Sequence, residues 1–198
     1  MYSGTEIRDL LISTVVLGVI FSLSDLTLVN LVSSLFVVGF AFLLHEIAHR
    51  ETARKFGARA VYRVWPSGLL MAIILGIVSW GSGMGVILFA APGAVHISPV
   101  RVARWKARHT SLQNEEYGII SLAGPLVNLG LSTLFLFLNS LYPSGLLVMG
   151  AVINIYIAFF NLLPVPPFDG FKVMRWCRKT WLITFITALV GLTGIWLL

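Results

Sequence analysis

Apolar positions fall in long runs, at residues 10–23, 26–44, 117–138, 144–163 and 181–198, with an interrupted run over 64–95. A hydrocarbon core of about 30 Å needs roughly 20 helical residues, so four of these runs predict full membrane spans. The first run is shorter and crosses only by drawing residues 5–9 towards the interface. Within the interrupted run, Trp80-Gly81-Ser82-Gly83-Met84-Gly85 suits a turn and disfavours a continuous helix.

Charge decides how the interrupted run is threaded. Arg50, Arg54, Lys55, Arg59 and Arg63 precede it and Arg101, Arg104, Lys106 and Arg108 follow it. Basic loops stay in the cytosol, so the run enters and leaves on one side. It is therefore expected to be a hairpin of two short spans or a re-entrant pair turning at residues 81–85, with short β-strands at its base near residues 60–65 and 94–98. Lys172, Arg175, Arg178 and Lys179 lie beyond the fifth run, whereas residues 139–142 carry no charge. The expected fold is an all-α polytopic membrane protein with about five full spans plus this hairpin. It forms one membrane-embedded domain over residues 1–198, with a core at about 26–174. The N-terminus is cytosolic and the C-terminus outside.

Composition agrees. Of 198 residues, 58% are apolar and 11% charged, against about 25% charged in soluble domains. A disordered or nucleic-acid-binding chain is excluded, because the charges sit beside apolar runs and the net charge of +6 is explained by lipid headgroups and topology. Residues 97–108 alternate basic and apolar positions and suit a headgroup surface. Glu6, Arg8 and Asp9 leave no basic leader region, so the first segment is expected to remain in the mature chain. The single cysteine, Cys177, allows no internal disulfide and reads as an incidental thiol.

The chemistry begins where the second run ends, at His45-Glu46-Ile47-Ala48-His49. Residues four apart share a helix face, so both imidazoles reach one metal ion with Glu46 beside them. Ionisable groups entering an apolar segment are unfavourable unless paired or ligated, which makes function the default reading. A catalytic zinc site takes three protein ligands and leaves one position open. Of the three aspartates, Asp9 and Asp25 flank the first run, while Asp169 directly follows the fifth. Asp169 reaches the histidines only if its span ends on their side of the membrane, which the basic residues require independently. The competing role for Asp169 is a helix N-cap eased by Gly170. Pro164, Pro166 and Pro167 end the preceding helix near residues 161–163, and the chain is expected to continue as an extended strand able to pair with an unwound peptide.

Three motifs in this order, His45-Glu46-x-x-His49, Ala123-Gly124-Pro125-Leu126-Val127-Asn128 opening a later span, and Asn161-x-x-Pro164-x-Pro166-x-x-Asp169-Gly170, resemble the site-2 proteases, intramembrane zinc metalloproteases with compact archaeal and bacterial members. The resemblance covers about residues 36–174. It implies one zinc per chain held by His45, His49 and Asp169, Glu46 as general base, and Asn128 and Asn161 near the substrate or the developing oxyanion. The implied partners are a transmembrane protein substrate and the lipid bilayer. Asn128 has a competing role as an interhelical hydrogen bond, and Asn161 as a helix C-cap. Phe168 stands where leucine or methionine is frequent, and the 65–95 hairpin is longer than the connection in compact relatives. His96 and His109 read as solvated loop residues, and Gly57, Gly124 and Gly130 as packing or helix-terminating glycines. The alternative function is a divalent-metal transporter of the ZIP kind, which resembles the chain less because residues 118–163 offer no His, Asp or Glu. A prenyl-protein protease would need a helical glutamate downstream, and Glu115 and Glu116 do not suit.

Overall fold

The computed structural model describes residues 3–23, 25–82, 93–99 and 112–195. Among these are seven helices and a two-stranded sheet: α1 (Gly4–Ser22), α2 (Leu28–Lys55), β1 (Ala58–Val64), α3 (Pro66–Ser82), β2 (Gly93–Pro99), α4 (Asn114–Leu141), α5 (Gly145–Asn161), α6 (Asp169–Trp176) and α7 (Arg178–Ile195). The strands fall where the hairpin base was expected, and they pair antiparallel from Ala58↔Pro99 to Val64↔Gly93. Residues 83–92, where the second arm of the hairpin and most of its turn are expected, lie outside the described residues, as do 100–111 with His109. His96 is exposed, on strand β2 rather than in a loop.

Among the described residues two helices, α2 and α4, are long and apolar enough to cross a membrane, and α3 and α5 are shorter apolar helices. At 1.5 Å per residue the 28 residues of α2 extend about 42 Å, so a helix that starts in one interface carries His45 to the far side roughly 26 Å on. Gly57 follows at φ 66°, the left-handed conformation that ends a helix without a Cβ clash. The outside of the bundle is apolar, with Val29, Phe36, Phe137 and Val190 all more than half exposed, while His45, Glu46, Asn128, Asn154 and Asp169 are buried. That inversion suits lipid rather than water. The core centres on Leu17, Val38, Ala41, Ile153 and Ile157 where α1, α2 and α5 meet. Ser132 of α4 donates to the Ala151 carbonyl of α5 at 2.9 Å, a small-residue contact that lets the backbones approach.

The acids of the first helix have a use that local patterning does not reveal. Glu6 closes a capping box with Ser3, then accepts from the backbone N–H of Tyr62 at 3.2 Å and from the Arg50 guanidinium. Asp9 accepts from the N–H of Val64 at 3.4 Å. Two carboxylates thus satisfy alternate amides on the edge of β1 that faces away from β2, where an unpaired strand edge would otherwise stay open. Tyr62 adds a 2.7 Å hydrogen bond to Ser13, and burial pushes its hydroxyl well above the usual range, so it stays neutral. The sheet is fixed to α1 and, through Arg50, to the helix carrying both histidines.

Candidate metal centre

On α2, His45, Glu46 and His49 face inward and are nearly inaccessible. The Nδ1 of His49 lies 2.7 Å from the Ile120 carbonyl, which only accepts, so that nitrogen carries the proton. The Nδ1 of His45 lies 2.5 Å from Asn128 Oδ1. Both Nε2 atoms are left as lone-pair donors, 2.9 Å apart. The Oδ2 of Asp169 stands 3.0 Å from His49 Nε2 and 3.6 Å from His45 Nε2. These three donor atoms lie within 4.8 Å of one another and could hold one metal ion between them. Bonds of about 2.0–2.1 Å in a tetrahedron separate donors by about 3.3 Å, and the observed separations bracket that value. Outer hydrogen bonds to both Nδ1 atoms are the usual support for zinc-binding imidazoles. The residues fit zinc.

Asp169 reaches this point because α5 stops at Asn161 and α6 starts on the aspartate itself, with Phe168 as N-cap. The helix end matches the expectation from the prolines. The extended strand does not: residues 162–168 form turns, closed by Phe168 N–H donating to the Val165 carbonyl at 3.1 Å, with a cis Pro166–Pro167 bond. Proline fixes φ near −65°, which serves a turn as well as a strand. Gly170 lies so close to the Leu162 carbonyl that a Cβ would collide with it, so glycine is what lets α6 start against the end of α5. The second carboxylate oxygen of Asp169 accepts from Lys172 Nζ at 3.1 Å, and Lys172 also donates to the Val95 carbonyl at 2.9 Å. The Lys172 ammonium beside it favours the charged form of the Asp169 carboxyl. It is a carboxylate with one oxygen aimed at the histidines and the other at Lys172.

A cavity of about 10 Å³, close to the smallest that admits one water, lies beside these groups. His45, Glu46, Asn161 and Asp169 line it, together with Tyr62 and residues 93–95 of β2. Asn161 also donates to the Ile157 carbonyl of its own helix at 2.9 Å. Asn128 is drawn to His45 and is absent from that lining; its Nδ2 donates to Asn154 Oδ1 at 2.8 Å. The motif around it lies inside α4, which begins at Asn114, and does not open the helix.

The sequence profile of peptidase family M50 matches residues 139–188, from the end of α4 into α7, including the Asn161–Asp169 motif. A candidate zinc metalloprotease of Methanocaldococcus jannaschii, MJ0611, is 39% identical over 196 residues, covering 96% of this chain and 91% of that protein. The chain belongs to peptidase family M50. This is the site-2 protease family that the three motifs resemble, and membership makes the chain a metallopeptidase. A second M50-like relative, the candidate zinc metalloprotease YwhC of Bacillus subtilis, is 28% identical over 149 residues, 68% of this chain and 64% of the relative. No solved structure gives a significant match.

Two features of this M50 site escape the sequence reading. Lys172 reads as one more cytosolic charge, although its position three residues after Asp169 on a helix is a usable signal. Gly124 reads as a packing glycine, yet a Cβ there would collide with the Nε2 atoms of both His45 and His49. The bare backbone of α4 forms one wall of the metal position. Gly124→Ala is therefore expected to lower zinc affinity about 100-fold in chelator competition, the upper end of effects seen for groups supporting a metal site. Gly130→Ala, where an added Cβ meets nothing within 4 Å, should bind as wild type. Equal affinity in both variants would remove Gly124 from the site.

Proposed function

We propose that this M50 peptidase is an intramembrane zinc endopeptidase that cuts a transmembrane segment of another membrane protein near its cytosolic end. His45, His49 and Asp169 hold the ion and Glu46 is the general base. The observation that carries the reading is the convergence of three lone-pair donors next to Glu46, at the end of an apolar helix. The basic residues from Arg50 to Arg63 support a cytosolic position for that end. In this reading α1, α2, α4, α5 and α7 cross the bilayer and α3 is the first arm of the hairpin.

Zinc, when bound, supplies a Lewis acid that acidifies water and polarises a peptide carbonyl. The protein's own groups do the rest. His45 and His49 keep their protons on Nδ1, so Nε2 stays available. Glu46 takes a proton from the water that attacks the carbonyl carbon and delivers it to the departing amine nitrogen. Asn161, which also lines the cavity, orients the substrate or donates to the developing oxyanion. A helix must unwind before its peptide bonds are open to attack. Residues 93–95 of β2 line the cavity, and this strand can pair with the unwound segment once Lys172 releases the Val95 carbonyl. Glu6 and Asp9 occupy the other free edge of the sheet, so pairing is directed to the catalytic side.

The test is cleavage of a membrane-embedded reporter by the chain reconstituted in lipid vesicles. Cleavage is expected to disappear on chelation and return on adding zinc. Cleavage unaffected by chelation would overturn the reading, and zinc flux across the vesicles that depends on His45 and His49 would favour transport instead.

A further inference from the structure

Behind His45 lie two amides buried completely between helices, Asn128 on α4 and Asn154 on α5. An amide in apolar surroundings is unfavourable unless its donors and acceptor are met, and here they are met in a fixed order. The Nδ2 of Asn154 lies 2.8 Å from the Gly150 carbonyl. A backbone carbonyl only accepts, so the amine end of Asn154 faces it and the carbonyl end faces α4. There Asn154 Oδ1 accepts from Asn128 Nδ2 at 2.8 Å, which turns the Asn128 carbonyl towards α2. Asn128 Oδ1 then faces His45 Nδ1 at 2.5 Å and can only accept its proton. The Ala41 carbonyl also faces Asn128 Nδ2, but at 3.5 Å it is the weaker acceptor.

We propose that Asn154 is a positioning residue which, acting through Asn128, fixes His45 as the Nδ1–H tautomer and so keeps Nε2 available to the metal. Each group in the line has one permitted orientation once the Gly150 carbonyl sets the first. His49 needs no such relay, because the Ile120 carbonyl meets its Nδ1 directly. The two imidazoles therefore differ: one is set by backbone, the other by a side chain two bonds removed on another helix. The zinc role rests on the reading above; the tautomer itself does not.

The experiment uses the full chain in detergent, labelled with 15N histidine, with zinc and after chelation. After chelation, wild type is expected to show His45 and His49 both protonated on Nδ1. In Asn154→Leu, which keeps the size but offers no acceptor, Asn128 turns its amine towards His45. A fraction of His45 protonated on Nε2 should appear while His49 stays unchanged, and zinc affinity in chelator competition should fall about tenfold, as for other supporting partners of metal ligands. Asn154→Asp rescues both readouts, because a protonated carboxyl in the same place donates to Gly150 and accepts from Asn128. Wild-type His45 protonated on Nε2 would overturn the proposal without any variant. So would Asn154→Leu with wild-type tautomer and affinity, or Asn154→Asp as defective as the leucine variant. Failure of wild type to bind zinc would instead overturn the metal reading and leave the tautomer result standing.

Discussion

Glu46→Gln is expected to abolish cleavage while zinc content stays at one ion per chain. Glutamine matches glutamate in size, and Glu46 is outside the His45, His49 and Asp169 group, so the ligand set is untouched. What is lost is the ability to accept a proton from water and return it to the leaving nitrogen. General base catalysis is worth about 10²–10⁴ in rate, and here one residue serves both transfers, so a fall of at least about 10³-fold is expected. The check is single-turnover cleavage of the vesicle reporter alongside metal analysis of the same preparation. Unchanged cleavage would remove Glu46 as base, whereas loss of zinc together with activity would move it into the ligand set.

Asp169→Ala should strike the metal first. The variant leaves two neutral imidazoles, and it strands the Lys172 ammonium, whose remaining partner is the Val95 carbonyl. Zinc affinity is expected to fall by more than about 100-fold, beyond the usual effect of removing an outer partner. Asp169→Asn keeps an oxygen of the same reach without its charge and should fall between the alanine variant and wild type. Competition against a chelator of known affinity provides the measurement. Full occupancy in Asp169→Ala would show that the third donor lies elsewhere.

Much of this site is legible in the sequence because each part obeys a local rule. The spacing of His45 and His49 is a helix period, and Pro164, Pro166 and Pro167 end the preceding helix near residues 161–163. The basic residues on both sides of the interrupted run predict that Asp169 emerges on the same side of the membrane as the histidines. The strands at the hairpin base also fall as expected. What was missed depends on partners distant in the chain. Nothing near Glu6 and Asp9 announces that they will cap the amides of Tyr62 and Val64. Nothing near Asn154 names Asn128, although an asparagine inside an apolar run asks for some partner. Residues 162–168 form a turn where a strand is expected, because proline excludes the helix without choosing between the remaining conformations. Helix bounds also differ from the apolar runs: α1, α2 and α4 extend beyond runs 10–23, 26–44 and 117–138, while α5 is shorter than 144–163, because an apolar run bounds a span but where its first and last turns form depends on capping and packing.

Zinc K-edge X-ray absorption on the wild-type chain, compared with Asp169→Ala, tests the central claim most directly. The account predicts one zinc per chain with two imidazole nitrogens and one carboxylate oxygen at about 2.0–2.1 Å, and loss of that oxygen signal in the variant. A wild-type spectrum without imidazole scattering, or one identical in the two proteins, would contradict it.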